Sequence, residues 1–377
     1  MTSGQADAST APPYTQIGVE LSLYSGKTRS YLRHKGIPFV ERATNPWELM
    51  VTIPRRTQAM AVPVVITPEG QWLGDSSEII DELERRFPSN PVLPSTPVLR
   101  FAAYLFELWG DEFWLPLAMH ARWSHDENRP LFIREVGAGI FPGFPRWLQS
   151  AGARNHVRLM RDHLPRLGID QAQIPLIERF AQTQLDGLDR HFASHRFLFG
   201  DRPSLGDFGL IGPLYAHLGR DPWPRRQLIA PRRHLADWID RMISPSEGQG
   251  AQGEFQADDR VADTLQPALR SIFDEMLPYL AQCAREVRMT AVVPARSHQA
   301  ARFLSQVRYP LAGGLYKQTA FSYPVWMGQR MLDALRQRPE SEQRLVSEWL
   351  TSVGGAEVLR LDLPRVRRIG LAAGRIA

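Results

Sequence analysis

The chain has 377 residues, 43% of them hydrophobic and 23% charged, which is the composition of an ordinary globular protein. At roughly 150 residues per domain, this length predicts two or three domains. The single cysteine, Cys283, excludes an intramolecular disulfide and any metal site built from several cysteines. The net charge of +5 comes from 45 basic and 40 acidic residues, and the arginines are scattered among carboxylates. We therefore expect no nucleic-acid partner.

No stretch of the sequence is long and apolar enough to span a bilayer, which needs about 20 residues. The opening residues contain no basic segment followed by an apolar one, so they do not have the pattern of a secretory signal peptide. They are rich in Ser, Thr, Ala and Pro, and we predict that residues 1–15 form a disordered tail. The sequence thus predicts a cytoplasmic protein with no membrane partner.

Residues 16–92 have the pattern of a small α/β domain. Apolar residues alternate from Ile17 to Leu23 and predict a strand, after which Ser25 can cap a helix that Gly36 ends. IPFVERA then predicts a second strand, and AVPVVITPEGQWLGD predicts two strands joined by a tight turn. DSSEIIDELERRFP predicts a helix that Pro88 terminates. The order is β-α-β, a gap, and β-β-α.

The rest of the chain, after a proline-rich linker at residues 88–97, has helical patterns. Apolar residues recur at helical spacing through residues 97–245, which we assign to an all-helical domain. A polar, glycine-rich joint precedes further helical patterns, so we predict a helical C-terminal extension over residues 246–377. Its aromatic cluster around Tyr323 and Trp326 is expected either to close a pocket or to bind a partner.

Three motifs resemble the glutathione transferase superfamily. They are SLYSGKTRSYLRHKGIPF at residues 22–39, VPVV at 62–65 followed by GDSSEII at 74–80, and FLFGDRPSLGDFGLIGPLYAHL at 197–218. The likeness covers roughly residues 16–243, and the remainder exceeds the usual length of the family. The resemblance implies a thioredoxin-like α/β N-terminal domain, an all-helical domain after it, and glutathione as co-substrate.

The resemblance places the glutathione site at the second motif. It implies a cis bond between Val62 and Pro63 whose backbone pairs with the cysteinyl part of glutathione. It also implies an anion site at Asp75 and Ser76, where a helix begins. On the residues alone, VPVV fits an edge strand equally well, and Asp75 or Ser76 fits a plain helix cap.

The family activates the thiol of glutathione with a hydroxyl donor or a cysteine. Ser22 is the first candidate for the hydroxyl, and Tyr24 and Ser25 are the alternatives, because the register of this loop can slip. On the residues alone, Ser22 also fits a strand end and Ser25 a helix cap. Serines stand where redox relatives carry Cys-x-x-Cys, so disulfide exchange at this spot is excluded.

Basic side chains near this site are candidate partners for the carboxylates of glutathione. These are Arg55, its neighbour Arg56, and Lys27. In relatives the segment that holds the arginine pair often contacts the glycyl carboxylate. On the residues alone, Arg55 and Arg56 fit a solvated pair equally well.

A second substrate is expected between the two domains, where pockets commonly form. The candidate lining residues lie early in the helical domain and are Trp109, Phe113, His120 and Trp123. An aromatic stripe at this spacing also fits a protein core. His191 and His195 have a zinc-ligand spacing but lack the accompanying glutamate, so we expect no metal.

The resemblance implies an enzyme that transfers glutathione to a small hydrophobic electrophile, with a role in detoxification. The long extension keeps open a non-catalytic scaffold or interaction protein of the same fold. A glutathione-dependent lyase or isomerase also remains open, because it would share the site and return the thiol. By analogy with relatives we expect a homodimer, unless the extension blocks its interface.

Overall fold

The structure, a computed structural model, describes residues 13–140, 143–244, 253–294 and 297–376. Most of the predicted tail lies outside the described residues, and so does half of the predicted joint before the extension. Tyr14 and Thr15, which the sequence assigned to the tail, are instead the first residues of a strand. In the part of the chain that is described, no helix is long and apolar enough to cross a membrane.

The N-terminal domain is a four-stranded mixed sheet with helices against it. Its strands and helices are β1 (Tyr14–Ile17), α1 (Leu23–His34), β2 (Phe39–Arg42), α2 (Ile53–Thr57), β3 (Val64–Ile66), β4 (Trp72–Gly74) and α3 (Ser76–Arg86). The sheet order is β2-β1-β3-β4, with β1 parallel to β2 and antiparallel to β3. This arrangement confirms the predicted order, and a π-helical turn before α2 (Glu48–Thr52) occupies the gap.

The first strand ends earlier than the alternating pattern predicted. Its pairing stops at Ile17, and the chain then turns so that Ser22 becomes the N-cap of α1. The predicted cap, Ser25, lies inside the first helical turn with its side chain buried. The alternating pattern was misleading because Leu21 and Leu23 are both buried although neither belongs to a strand. They pack in two different hydrophobic clusters.

The second domain is helical, as predicted. Its helices are α4 (Pro97–Leu108), α5 (Leu115–Trp123), α6 (Arg129–Ile140), α7 (Arg146–Asp162), α8 (Ile174–Phe192), α9 (Leu205–Pro213), α10 (Pro222–Pro224) and α11 (Arg233–Ile243). Ser204 and Asp207 form a reciprocal cap at the start of α9. Helix α9 packs closely against the end of α4, since a Cβ on Gly110 would lie only 2.6 Å from the carbonyl carbon of Gly209.

The extension is not wholly helical, and this part of the prediction is wrong. It consists of α12 (Gln266–Ser271), α13 (Leu277–Met289), β5 (Phe303–Leu311), β6 (Gly314–Phe321), α14 (Tyr323–Arg336), α15 (Glu340–Ser352), β7 (Val366–Ile369) and β8 (Ala372–Arg375). Strands β5 and β6 form one antiparallel hairpin, and β7 and β8 form another. The first hairpin turns at Ala312 and Gly313, both with positive φ, which suits a two-residue turn.

The extension packs onto both other domains. Helices α14 and α15 lie against α4, and the last hairpin lies against α14. One continuous hydrophobic cluster contains residues from all three parts of the chain, including Tyr31, Phe106 and Val325. The extension is therefore an integral wall of the structure and is positioned to contribute to a site in the N-terminal domain.

Candidate functional site

The geometry that the resemblance implies for the second motif is present at the start of β3 and α3. The bond between Val62 and Pro63 is cis. Asp75 is the N-cap of α3, and its Oδ1 accepts from the backbone N–H of Ser77 at 3.0 Å and of Glu78 at 3.2 Å. Asp75 has a φ of 74°, which is uncommon for a residue other than glycine and tends to persist at functional sites.

A small pocket lies between the cis bond and the N-terminus of α3, with a cavity volume of about 70 Å³. Tyr24 of α1 forms one side of it. The extension forms another, through Arg302, Tyr323, Arg368, Gly370 and Leu371. The extension therefore narrows the site that the sequence assigned to glutathione.

Three contacts hold the extension at this pocket. The Tyr323 hydroxyl donates to Asp75 Oδ2 at 2.5 Å. Arg368 Nε donates to Glu78 Oε1 at 2.8 Å, and Arg368 Nη2 donates to the other oxygen of the same carboxylate. Gly370, with a φ of 60°, lies so close to Gln58 that a Cβ would be 2.5 Å from its carbonyl oxygen. Only a glycine fits this approach.

A second, much larger pocket of about 840 Å³ lies between the N-terminal domain and helices α5 to α7. Its lining is mainly apolar and includes Leu49, Met60, Leu115, Met119, Trp123, Phe132, Val136 and Met160. Tyr24, Ala61 and Val62 line both pockets, so the two meet at these residues. A group bound along Val62 would thus reach the edge of a large apolar space.

The three candidate hydroxyls have different surroundings. Ser22 lines the large pocket, and its Oγ accepts from the Ser25 N–H at 3.2 Å, which leaves its own proton to donate. The Tyr24 hydroxyl donates to the backbone oxygen of Asp111 at 3.1 Å, and burial raises its pKa well above the usual value. Ser25 is buried and is outside the lining of both pockets. Ser22 is the best placed of the three.

Lys27 does not reach either pocket, which corrects its assignment as a carboxylate partner. Its ammonium group is fully buried, 2.8 Å from Glu107 Oε1 and 2.5 Å from Asp111 Oδ2. Arg55 is exposed on α2 and is outside the lining of the pockets described above. Its neighbour Arg56 lines a shallow polar groove next to Arg368.

Of the four aromatic or histidine candidates for the second substrate, Trp123 lines the large pocket. The structure corrects the prediction for the other three, which are buried away from it. Trp109 lies in the main core and donates from Nε1 to Ser271 Oγ at 3.2 Å, and Phe113 packs on Tyr309. His120 is buried on α5, with Nδ1 2.9 Å from Ser124 Oγ.

Sequence reasoning missed three charged or polar residues of the small pocket, namely Arg302, Tyr323 and Arg368. Tyr323 was visible as part of an aromatic cluster, but nothing in the sequence connected it to Asp75. No local signal distinguishes Arg302 or Arg368 from the many other arginines.

The comparisons with known proteins agree with this geometry. The family model described as glutathione S-transferase, N-terminal domain, matches residues 17–91, and the model of the C-terminal domain matches residues 177–241. An isoprene-epoxide–glutathione S-transferase from a Rhodococcus species is 22% identical over 229 residues, which are 59% of this chain and 92% of that protein.

Solved structures of glutathione S-transferases also align with the chain. One from Rhodospirillum rubrum is 16% identical and covers 66% of this chain and 96% of its own, with a TM-score of 0.40. One from Methylobacterium radiotolerans, in complex with glutathione sulfonate, is 24% identical and covers 66% and 99%, with a TM-score of 0.38. Both domain models match in the order that the sequence predicted, so residues 17–91 and 177–241 carry the N-terminal and C-terminal glutathione S-transferase domains.

Proposed function

We propose that the protein is a glutathione transferase that uses glutathione as co-substrate and attacks a small hydrophobic electrophile. The observation that carries this proposal is the junction of the two pockets at Tyr24, Ala61 and Val62. The small pocket offers groups that suit a peptide thiol, and the large one offers the apolar lining that suits an apolar acceptor.

The groups of the small pocket match the parts of glutathione. The backbone of Val62 has no hydrogen-bond partner among the described residues, so it is available to the cysteinyl backbone. The N-terminus of α3, with Asp75 and Ser76, suits the charged γ-glutamyl end. The thiol then lies at the junction, within the region that Ser22 lines.

The reaction follows from this placement. The thiol loses its proton to water in the large pocket, and the Ser22 hydroxyl donates a hydrogen bond to the thiolate that remains. The thiolate attacks the electrophilic carbon, a carbon–sulfur bond forms, and the leaving atom takes the electron pair of the broken bond. The Rhodococcus relative is named for an isoprene epoxide, an apolar electrophile, and this supports the substrate class proposed here.

A complete tripeptide needs more room than the roughly 70 Å³ of the small pocket. We infer that Gly370 and Leu371, at the tip of the last hairpin, move away when glutathione binds. Both residues line the pocket, and the polar side-chain contacts at this tip are those of Arg368 with Glu78 and with the Gly370 carbonyl. The same closure is the observation that favours the alternative, a non-catalytic protein of this fold.

Ligand binding and product analysis separate these functions. A transferase should be stabilised by glutathione, by about 2.7 kcal/mol at one hundred times Kd. It should also form thioether products with a panel of epoxides, aryl halides and enones. A lyase or isomerase would bind glutathione but return it unchanged. Absence of both stabilisation and products would contradict the proposal and favour the scaffold function.

A further inference from the structure

Arg302 and Tyr323, two residues at the base of the β5–β6 hairpin, both line the small pocket. Arg302 immediately precedes β5, and Tyr323 follows β6 after Ser322. Ser322 holds both ends of the hairpin, because its N–H donates to the Arg302 carbonyl at 3.2 Å and its hydroxyl donates to the Ala301 carbonyl at 2.7 Å. These hydrogen bonds fix the backbone that carries the side chains of Arg302 and Tyr323, both of which line the small pocket.

Arg302 differs from the other polar residues that the extension supplies. Tyr323 is bound to Asp75 and Arg368 to Glu78, so their donors are in use. Among the described residues, none forms a hydrogen bond or an ion pair with the Arg302 guanidinium. Its central carbon lies 5.2 Å from the ring centroid of Phe303, which supports the cation from one side.

An arginine with unused donors in a pocket is suited to an anion, because its guanidinium is a fork of five N–H donors. Bound glutathione would bring three negative groups to this site: its glycyl carboxylate, its γ-glutamyl carboxylate at the N-terminus of α3, and its thiolate at the junction of the pockets. Arg302 shares its pocket with Tyr24, which lies at that junction.

We propose that Arg302, supplied by the extension, is a catalytic residue that stabilises the thiolate of bound glutathione. This inference rests on the proposed function. In the step concerned, the S–H bond breaks heterolytically, the electron pair stays on sulfur, and the proton passes to water in the large pocket. Arg302 lines the small pocket and Ser22 lines the large one, so the two donors belong to different sides of the residues that the pockets share.

The surroundings of the junction disfavour a negative charge that has no positive partner. Three carboxyl groups, those of Asp75, Asp111 and Glu112, act electrostatically on Tyr24, as Arg302 does with the opposite sign. Burial raises the pKa of Asp111 to about 7 and that of Glu112 well above its usual value. The burial that disfavours the charged form of these carboxyls also disfavours a thiolate beside them, unless a cation offsets it. Arg368 also faces the pocket but is paired with Glu78, and Lys27 is enclosed by Glu107 and Asp111.

The test is the titration of the bound thiol in the full chain, followed by its thiolate absorbance. Arg302→Gln should raise the pKa of bound glutathione by about one unit, since a nearby opposite charge shifts a pKa by 1–3 units. Arg302→Lys should restore most of the shift. Arg308→Gln is the matched control, because Arg308 lies within β5 and, unlike Arg302, does not line the small pocket, so it should leave the titration unchanged.

A second ligand separates thiolate stabilisation from carboxylate binding. S-methylglutathione keeps both carboxylates and has no ionisable thiol. Arg302→Gln should therefore leave its Kd unchanged, while kcat/KM for conjugation at neutral pH falls about tenfold. An equal loss of affinity for both ligands, or an unchanged thiol pKa in Arg302→Gln, would overturn this inference and leave the proposed function intact. If the natural chain binds neither ligand, the proposed function fails and the inference fails with it.

Discussion

At Ser22, capping and the proposed chemistry use different atoms of one hydroxyl group. The oxygen accepts from the Ser25 N–H, and the proton is left for a ligand in the large pocket. A substitution at this position therefore has two separable effects. Loss of the cap lowers the free energy of unfolding by about 1 kcal/mol, whereas loss of the donor acts on the thiolate.

Ser22→Ala should lower kcat/KM for glutathione conjugation by roughly tenfold, since removing one donor to the thiolate costs about 1.4 kcal/mol. Ser22→Gly separates the effects, because glycine at an N-cap costs only a few tenths of a kcal/mol. We expect the same loss of activity in Ser22→Gly with a smaller loss of stability. Full activity in both variants would exclude Ser22, and Tyr24→Phe would then test the other candidate hydroxyl that lines a pocket.

Residues whose role depends on local sequence were the ones that could be predicted. The cis bond at Pro63 was expected through the family resemblance of its motif, whereas the cap at Asp75 follows from the local string GDSSEII itself. Arg302 and Arg368 could not be found in this way, because more than two hundred residues of sequence separate them from Val62 and Asp75, which line the same pocket. Trp109 and Phe113 were misassigned, since an aromatic stripe has the same spacing in a core as in a pocket wall.

At the scale of elements, the hairpins of the extension were missed although their signals are present. Val307, Tyr309 and Leu311 alternate with exposed residues in β5, which is the period of a strand. Pro310 interrupts this run, and a proline within a run argues against a strand. Because the segments on both sides of the hairpin have helical patterns, the whole extension was predicted to be helical.

The tip of the last hairpin, β7–β8, lines the small pocket through Gly370 and Leu371. Arg368 holds it from the inside, through Glu78 on α3 and through the Gly370 carbonyl at the tip, at 3.0 Å. If glutathione requires the open position of this hairpin, its apparent affinity is reduced by the fraction of molecules that are closed. Weakening the closure should therefore improve binding.

Arg368→Gln should lower the apparent Kd for glutathione by up to about fivefold, because a partly exposed ion pair contributes roughly 1 kcal/mol. Arg365→Gln is the matched control, since Arg365 lies on the same hairpin but pairs with Asp333 at the opposite end. Calorimetric titration of both variants measures the effect. Weaker binding of glutathione by Arg368→Gln would contradict the inference that this hairpin must open for binding. It would indicate that Arg368 contacts the ligand itself.

At the scale of the whole molecule, a buried ionic network joins the three parts of the chain. Lys27 of α1 contacts Glu107 of α4 and Asp111, which follows α4. Arg330 of α14 contacts the other oxygen of Glu107 and also Asp81 of α3, at 2.6 Å. The carboxylate of Glu107 is thus shared between the N-terminal domain and the extension, and the network fixes the walls of the small pocket.

Lys27→Met should destabilise the protein by about 3–5 kcal/mol, because it leaves buried carboxylates without their cation. Adding Asp111→Asn removes one of these carboxylates and should recover part of the loss. Urea unfolding of the single and double variants measures both values. A single variant as stable as the natural chain would show that the ion pair merely repays its own desolvation.

Acid unfolding provides a test that also spans the molecule, since buried histidines occur on several helices. Burial lowers the pKa of His120 to about 4 and that of His191 to about 3, from an ordinary value of 6.5. His120 Nε2 lies 3.7 Å from Glu178 Oε1, but with this pKa the ring is neutral at pH 7 and the contact is not an ion pair. At a pH between the folded and unfolded pKa values of His120, the unfolded chain therefore binds a proton that the native chain does not bind.

The sign of the pH dependence follows from this difference. A group whose pKa is lowered on folding contributes stability that is present above pH 6.5 and is lost as the pH falls toward its folded pKa. Buried carboxyls with raised pKa values, such as Asp207 at about 6, act in the opposite direction, with stability falling as the pH rises from 4 to 6. The curve of the natural chain contains both contributions.

The difference between two curves isolates one histidine. His120→Gln should unfold with a shallower loss of stability between pH 6.5 and 4, by up to roughly 3 kcal/mol at the acid end, because the variant has no proton to bind there. Above pH 7 the two curves should run parallel, offset by the cost of replacing the buried ring. Urea unfolding at half-unit intervals of pH measures this. Curves that stay parallel down to pH 4 would mean that His120 has the same pKa in the folded and unfolded states. That result would contradict a ring that burial keeps neutral in the folded protein.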